Sequence, residues 1–512
     1  MLTATPIQAA TSPARHRPGA TAAHGPRRAP IWDRGSFATL LALTVWAPLP
    51  LGSNRDWAVG LLATALWATL ALRCLAARPW LRGRPAWSAL QCARWPLAAL
   101  SAFCLLVLAQ WASVLPGVLH TPDVHLTAGY LLRALAYLAA FALVMLCVNT
   151  PQRVAGLLGA VVAGGVLQAV LAVVLHSSRA RYQYLFTEFV QGHRAMGTFP
   201  NPDHLAGYME LTLSAGLGLL LAQFAAGHVA AAPAWQQRAA TALRFLMSAK
   251  MRLRLMLVVM VVALVMTHSR MGNGAFFLSL LLMGGLVAAL SAQWRRPALW
   301  LVLSMALVDV VIVGQWVGLG RVIERLQDTA ESTSLDAQPA QQAAAMPAMP
   351  ATGGLVAPAK AEESIQDRLR IPRLSVPLVV QQPWFGHGGG TYVLALPPIK
   401  PAGFPHHWDH AHNDYVEIAV DTGLVGLALL LGMASASAWR AARLIDDRHP
   451  PLDKGVGVAT LTALCCMALH SMVDFNLQIP ANALTLVLLC ALPWATAAQR
   501  RMQAARPTSF AS

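Results

Sequence analysis

The chain has 512 residues, 56% of them hydrophobic and only 12% charged, with a formal charge of +16. Charge this sparse cannot cover a soluble surface, and the long unbroken apolar runs exclude a membrane β-barrel, whose strands alternate. The positive balance invites a polyanion, yet most Lys and Arg lie in short loops between apolar segments, where they act as topology signals, so nucleic acid is not an expected partner.

Crossing ~30 Å of hydrocarbon takes ~20 mostly apolar residues rising ~1.5 Å each. Residues 1–34 fail that test. They form a basic, Pro- and Ala-rich tail, read as disordered, that is too long and too polar for a signal peptide. Nine spans are predicted within 35–316, at approximately 35–51, 57–76, 96–116, 128–148, 154–176, 204–225, 253–268, 272–293 and 297–316. A long loop follows at 317–414. Its part 330–361 is an Ala-, Gln-, Pro- and Met-rich insert without period, expected to be disordered. A helix starting near Glu362 is expected to break at Pro372 and Pro377. Three further spans fill 415–497, at 415–436, 455–475 and 480–497, and 498–512 is a second tail. The fold class is an all-α membrane protein of about 12 transmembrane helices, with a long, partly helical periplasmic loop between spans nine and ten.

Charge sets the orientation. With the first tail inside, the short outer loops hold only Arg55, Arg179, Arg181, Arg194 and Arg270, while the inner loops and tails hold most of the remainder. Both termini are therefore expected on the cytoplasmic side and loop 317–414 on the outer one. The seven cysteines fall in spans or inner loops, which indicates no disulfide framework.

The densest chemistry lies between Gly386 and Gly426. A turn containing Gly386, His387, Gly388, Gly389 and Gly390 precedes His406, His407, Asp409, His410, His412 and Asp414. Imidazoles beside carboxylates first suggest zinc, but no familiar ligand spacing is present, so neither a metal nor a cofactor is expected. Gly386, Gly388 and Gly390 suit either a phosphate cradle of backbone N–H groups or a tight turn that folds the loop onto the membrane domain. His412 sits at the start of span ten. There an imidazole can accept a hydroxyl proton near neutral pH, with Asp414 or Glu417 to orient it; the plain alternative is a histidine that caps the helix.

Arg194 precedes span six and Arg270 lies in the short turn His268–Gly272. Near mid-bilayer each would cost on the order of 2.5 to 3.5 kcal/mol. They read either as snorkelling side chains or as cavity-facing guanidiniums that grip phosphate. Arg321, Arg325, Arg368 and Arg370 are secondary candidates, and Arg133 reads as a snorkeller. His470, Ser471, Asp474 and Asn476 close span eleven, either as an intramembrane functional group or as a helix-terminal hydrogen-bond network.

Taken in order, these features resemble the O-antigen ligase and O-antigen polymerase superfamily. The residues that carry the likeness are His412-Asn413 followed by Gly423 and Gly426, Arg194 to Asn201 before a span, Ser269-Arg270 at a hairpin, the Gly386–Tyr392 turn, and His470 to Pro480. The resemblance implies a metal-independent, inverting glycosyltransferase of the C type in a bacterial inner membrane, with a periplasmic active site. Its donor would be a glycan on undecaprenyl diphosphate, and its acceptor a hydroxyl of lipid A–core or of a growing polysaccharide, both held in membrane lipid. The family's catalytic histidine maps onto His412, beside the candidates Asn413 and Glu417, and its diphosphate-binding arginines onto Arg194 and Arg270, with Arg368 and Arg370 as further candidates from the loop. The insert 330–361 departs from the family pattern. Ligase and polymerase share this chemistry, and the His-Asn-to-Gly spacing favours the ligase. The alternative of another class is a transporter or flippase for the same lipid-linked glycan. That function needs charged residues lining a path through the spans, for which Asp309 and Glu210 are nearly the only candidates.

Overall fold

The computed structural model describes residues 30–77, 85–178, 181–184, 187–190, 193–224, 248–300, 302–304, 365–401 and 408–504. The helices are α1 (Ile31–Trp46), α2 (Asp56–Ala77), α3 (Pro85–Cys92), α4 (Arg94–Trp111), α5 (Val124–Cys147), α6 (Pro151–Ser178) and α7 (Pro202–Phe224). They continue with α8 (Ala249–Met266), α9 (Arg270–Leu290), α10 (Ile365–Gln381), the short α11 (Tyr392–Ala395), α12 (Asp414–Ala442), α13 (Pro451–His470) and α14 (Pro480–Ala504). Among the described residues nine helices, α2, α4, α5, α6, α7, α9, α12, α13 and α14, are long and apolar enough to cross a membrane. The expected predominantly helical architecture is present, and the described residues account for nine such helices of the about 12 spans expected. α1, at 16 residues, is short of that length, and α8 opens on Lys250, Arg252 and Arg254. Of the predicted ninth span, 297–316, residues 297–300 and 302–304 are described and helical, and the rest lies outside the described residues, as does the insert 330–361.

Two helices form the buried centre. The apolar window of α14 is 100% buried and that of α7 94%. α7 meets α13 where neither carries a side chain: a Cβ on Gly218 would lie 2.2 Å from the Gly455 carbonyl oxygen, and one on Gly455 2.4 Å from that of Gly218. Small residues at a crossing let backbones approach, which gives van der Waals contact where hydrocarbon removes the hydrophobic drive. Thr460 Oγ1 then donates to the Leu489 carbonyl at 2.9 Å, tying α13 to α14.

The helix ends fall into two sets. At one end, Asp33 holds Arg73 at 3.1 Å and Arg153 at 2.5 Å. At the same end the buried Lys454 reaches Asp447 at 2.9 Å, and Arg500 donates to Asp453 at 2.6 Å. Three helix starts at the opposite end carry side-chain caps that satisfy orphan N–H groups. Asp123 Oδ1 accepts from His125 N at 2.8 Å, Ser269 Oγ from Gly272 N at 3.1 Å, and Asn413 Oδ1 from Val416 N at 3.0 Å. The candidate site lies at this second end.

The structure departs from expectation at two places. α10 runs unbroken through Pro372 and Pro377. A proline removes one ladder bond, but Ser375 Oγ bonds both the Ile371 carbonyl and the Tyr392 hydroxyl. Ile371 and Leu378 pack with Tyr392, Trp408, Ala411 and Val420, so tertiary anchoring outweighs propensity. The connection between α6 and α7 contains a two-stranded antiparallel hairpin, Arg181–Tyr184 against Thr187–Val190, in which Tyr182 pairs with Phe189.

Candidate active site

α12 is interrupted by Gly423, at φ 69° and ψ −179°, and the Gly386–Gly390 turn docks into the break. The interruption frees backbone groups that must find partners. The Val420 and Asp421 carbonyls accept from His387 N at 2.8 Å and Gly388 N at 3.0 Å, while Leu424 N donates to the Pro383 carbonyl at 2.8 Å. A Cβ on Gly423 would stand 2.2 Å from the Trp384 oxygen, and one on Gly386 2.5 Å from the Asp421 backbone. The turn's own N–H groups are engaged as well. Asp421 accepts from Gly390 N and Tyr392 N, each at 2.9 Å, and Gln110 from Gly389 N at 3.2 Å. These donors are spent inside the protein, which matches a docking turn and leaves no phosphate cradle there.

His412 is 5% exposed and adopts φ 49°, a left-handed backbone rare for a side chain and found where structure over-determines it. Its ring sits edge-on to Trp408 at 5.2 Å and to Phe475 at 4.9 Å. Its Nδ1 lies 3.7 Å from Asp474 Oδ1. The carboxylate that faces the ring is Asp474, from the α13–α14 connection, beyond hydrogen-bond distance, while Asp414 and Glu417 are engaged elsewhere. Asp414 accepts instead from Ser471 Oγ at 2.7 Å and Leu477 N at 3.0 Å. Glu417 takes His410 Nδ1 at 2.7 Å and Ala411 N at 2.8 Å. His410 stacks on Phe475 at 4.0 Å. Burial there works against charging its imidazole, but the Glu417 carboxylate outweighs it, and the pKa stands above the ordinary histidine value. Asn413 caps α12 and donates from Nδ2 to the Met472 carbonyl at 2.8 Å; the side chain is occupied in locking α12 to the end of α13.

Arg194 is a quarter exposed. It pairs with the buried Asp203 at the start of α7, and its Nε donates to the Thr267 carbonyl at 2.7 Å. Arg270, three residues beyond Thr267, is exposed at the first position of α9 and forms no ion pair among the described residues. The neighbour of Asp203, His204, lies edge-on to Phe475 at 4.7 Å. One chain of contacts therefore joins Arg194, the α8–α9 turn, the α7 start, Phe475 and His412. Of the secondary arginines, Arg370 is exposed on α10. The side chain of Arg368, together with His406, His407, Arg321 and Arg325, lies outside the described residues. No group of three or more His, Cys, Asp or Glu that could hold a metal ion occurs among the described residues.

Beside this cluster, between α4, α5, α12, α13 and α14, is a cavity of ≈ 180 Å³. Asp414, Tyr415 and Ser471 line its site end, Leu430 and Met433 its depth, and Arg133 its side. Asp421 was not singled out in the sequence, and Trp408 and Phe475 stood there only as neighbours of the histidines and Asp474. Asp474 was visible as an acidic residue at the end of a span, but nothing in the sequence joined it to a histidine 62 positions earlier.

Fold and site together define a polytopic helical membrane protein with a buried histidine–carboxylate cluster, flanked by two arginines, at one end of its bundle. Residues 255–431 match the family model described as O-antigen ligase, the family that the ordered sequence features resemble. The matched segment includes Arg270, the docking turn, His412 and Gly423. No curated protein matches the chain.

Proposed function

We propose that the protein is a glycosyltransferase of the ligase type, moving a glycan from undecaprenyl diphosphate to a hydroxyl of lipid A–core or a similar acceptor on the periplasmic face of the inner membrane. The observation that carries this reading is the convergence of His412 and Asp474 with Arg194 and Arg270 on one end of the bundle. A diphosphate is a good leaving group, so the protein's tasks are to place the acceptor, take its proton and hold the departing charge. His412 does the second through the ring nitrogen that does not face Asp474, and Asp474 favours the imidazolium that forms. The acceptor oxygen bonds to the anomeric carbon from the face opposite the carrier. The carbon–oxygen bond to the diphosphate breaks with its electron pair, and the configuration inverts.

Arg270 is the more available of the two guanidiniums, because Arg194 is already paired with Asp203. The apolar cavity beside Asp414 suits the carrier's hydrocarbon chain. A polymerase would use the same groups, and the difference is read in the product: a single glycan on lipid A–core for a ligase, a lengthened carrier-linked chain for a polymerase. Substrate crossing a reconstituted bilayer with no new bond would replace both readings with the transporter.

The test uses purified full-length protein with undecaprenyl-diphosphate-linked oligosaccharide and lipid A–core. His412→Ala is expected to stay folded and lose transfer by on the order of 100-fold or more, the lower range for removing general base catalysis. Arg270→Ala is expected to weaken donor binding at least ~10-fold while its melting temperature stays put, since exposed unpaired positions shift stability by only about 0.5 kcal/mol. Normal turnover by His412→Ala would remove that residue from the chemistry, and unchanged donor affinity in Arg270→Ala would remove the diphosphate role.

A further inference from the structure

Behind Asp474, away from His412, lies a pair of ionisable side chains that the proposed chemistry does not use. His470, the last residue of α13, places Nδ1 2.8 Å from Glu210 Oε1 of α7. Its other ring nitrogen, Nε2, lies 3.7 Å from Asp474 Oδ2. The side chains of His470, Glu210 and Asp474 are 1%, 0% and 1% exposed. Asp474 is therefore shared, with one oxygen toward His412 and the other toward His470, and Glu210 closes the row.

This arrangement is costly to keep. Glu210 stands eight residues into α7, ~12 Å along the helix at ~1.5 Å per residue. An ionisable pair at such a depth is far dearer than apolar residues of the same size. Nor is it fully satisfied: neither Glu210 Oε2 nor His470 Nε2 has a hydrogen-bond partner among the described residues. The α7–α13 contact does not depend on it, because the glycine crossing at Gly218 and Gly455 and the close approach of Gly207 to Asn476 already hold the helices together. A buried group that packing does not require, and that hydrogen bonding does not fully compensate, points to a role in the chemistry next to it.

We propose that Glu210 and His470 are positioning residues that fix the orientation and charge of Asp474, and through it His412, when His412 takes the acceptor's proton. Left to itself, Asp474 has several neighbours. His412 faces it from the loop before α12, His204 from the start of α7, and Asp414 from α12. Phe475 N donates to the near oxygen at 2.9 Å, and the His470 ring, too far from the other oxygen to hydrogen-bond, acts on the carboxylate by charge and favours the plane in which the near oxygen faces His412 Nδ1. Glu210, accepting from His470 Nδ1, fixes that ring and offsets a proton held on it. No bond is made or broken by the pair: the acceptor's proton passes to His412, and the electron pair of the broken bond leaves on the diphosphate. This inference rests on His412 acting as proposed above.

The experiment compares Glu210→Gln, Asp474→Asn, the double variant and His412→Ala in purified full-length protein, with undecaprenyl-diphosphate-linked oligosaccharide as donor and lipid A–core as acceptor. Glu210→Gln keeps the length and an accepting oxygen for His470 while removing the charge. It is expected to lower kcat on the order of 10- to 100-fold, the loss typical of a misplaced catalytic group, with KM for the donor within about twofold of wild type. If Glu210 acts through Asp474, the double variant falls no further than Asp474→Asn alone. Wild-type kcat in Glu210→Gln, a loss confined to KM, or full additivity in the double variant each overturns the inference. Should Glu210→Gln fail to fold, His470→Gln is read in the same cycle with Asp474→Asn, and additivity there is equally fatal. His412→Ala separates the two levels. If it is inactive while Glu210→Gln turns over normally, only the positioning role falls; if it is active, the role of His412 falls and this inference with it.

Discussion

His410 shows how a residue next to the candidate base differs from it. Both are loop histidines packed on Phe475, but His410 faces Glu417 at 2.7 Å while His412 faces Asp474 at 3.7 Å. The pKa of His410 is raised by Glu417 against the opposing effect of burial. A raised folded-state value means that its contribution to stability is fully present below the unfolded-state pKa, ~6.5, and is lost as pH rises through the folded-state value. Melting of wild type and His410→Gln should therefore differ most near pH ~6, with the gap closing toward pH ~9. A gap of constant size across that range would mean that His410 holds the loop by stacking alone. Residue types were readable in the sequence here, pairings were not. Asn413 and Glu417 are about one helical turn apart, which made Glu417 a natural partner for the histidine beside Asn413. The left-handed backbone at His412 turns its ring away from α12 and onto a carboxylate from a distant connection. No periodicity relates residues 412 and 474.

At the scale of elements, helices were legible because apolar length decides them, and eleven of the twelve predicted spans fall on described helices. What the pattern could not carry was an event inside a span. Gly423 sits in a run that reads as uninterrupted helix, and only the docked turn explains its conformation. The turn's glycines were legible as a tight turn, but the partner that makes them necessary is backbone of another element. Gly423→Ala tests this coupling. The left-handed conformation alone costs about 1–3 kcal/mol for a residue with a side chain. The new Cβ also meets the Trp384 carbonyl 2.2 Å away, against backbone that cannot rotate aside. The variant should expel the 384–390 turn, lower the melting temperature and reduce glycan transfer, with protease cleavage appearing near Trp384 first. Gly432→Ala, on the same helix with nothing within 4 Å of its Cβ, provides the control. Equal behaviour of the two would mean that the break in α12 is not what seats the loop.

Over the whole molecule, charge is sorted to the two ends of the bundle. Asp33, Asp447 and Asp453 are committed to Arg73, Arg153, Lys454 and Arg500 at one end, and the candidate chemistry occupies the other. Between them α7 and α14 are buried almost completely, so their spacing is fixed by packing, and α7 carries Arg194's partner Asp203 at its start and Glu210 further in. The crossing of α7 with α13 thus sets where both the arginine site and the histidine row stand. Composition announced a polytopic bundle, but a glycine in an apolar span looks the same whether it touches lipid or another backbone, so the crossing was not legible. Gly218→Ala places a methyl 2.2 Å from the Gly455 carbonyl oxygen and 2.8 Å from Ala459 Cβ, in a contact between two backbones. The helices must separate to admit it. Gly60→Ala in α2 meets nothing within 4 Å and gains the ~0.5–1 kcal/mol by which alanine exceeds glycine inside a helix. In detergent, Gly60→Ala should melt at or above wild type with full transfer, and Gly218→Ala should melt lower. Because α7 moves as a unit, Gly218→Ala should also lose kcat, although the substitution lies about two turns from Glu210 and about four from Asp203. Wild-type kcat at a lowered melting temperature would show that the site tolerates displacement of α7, and that its geometry is set by the loop alone.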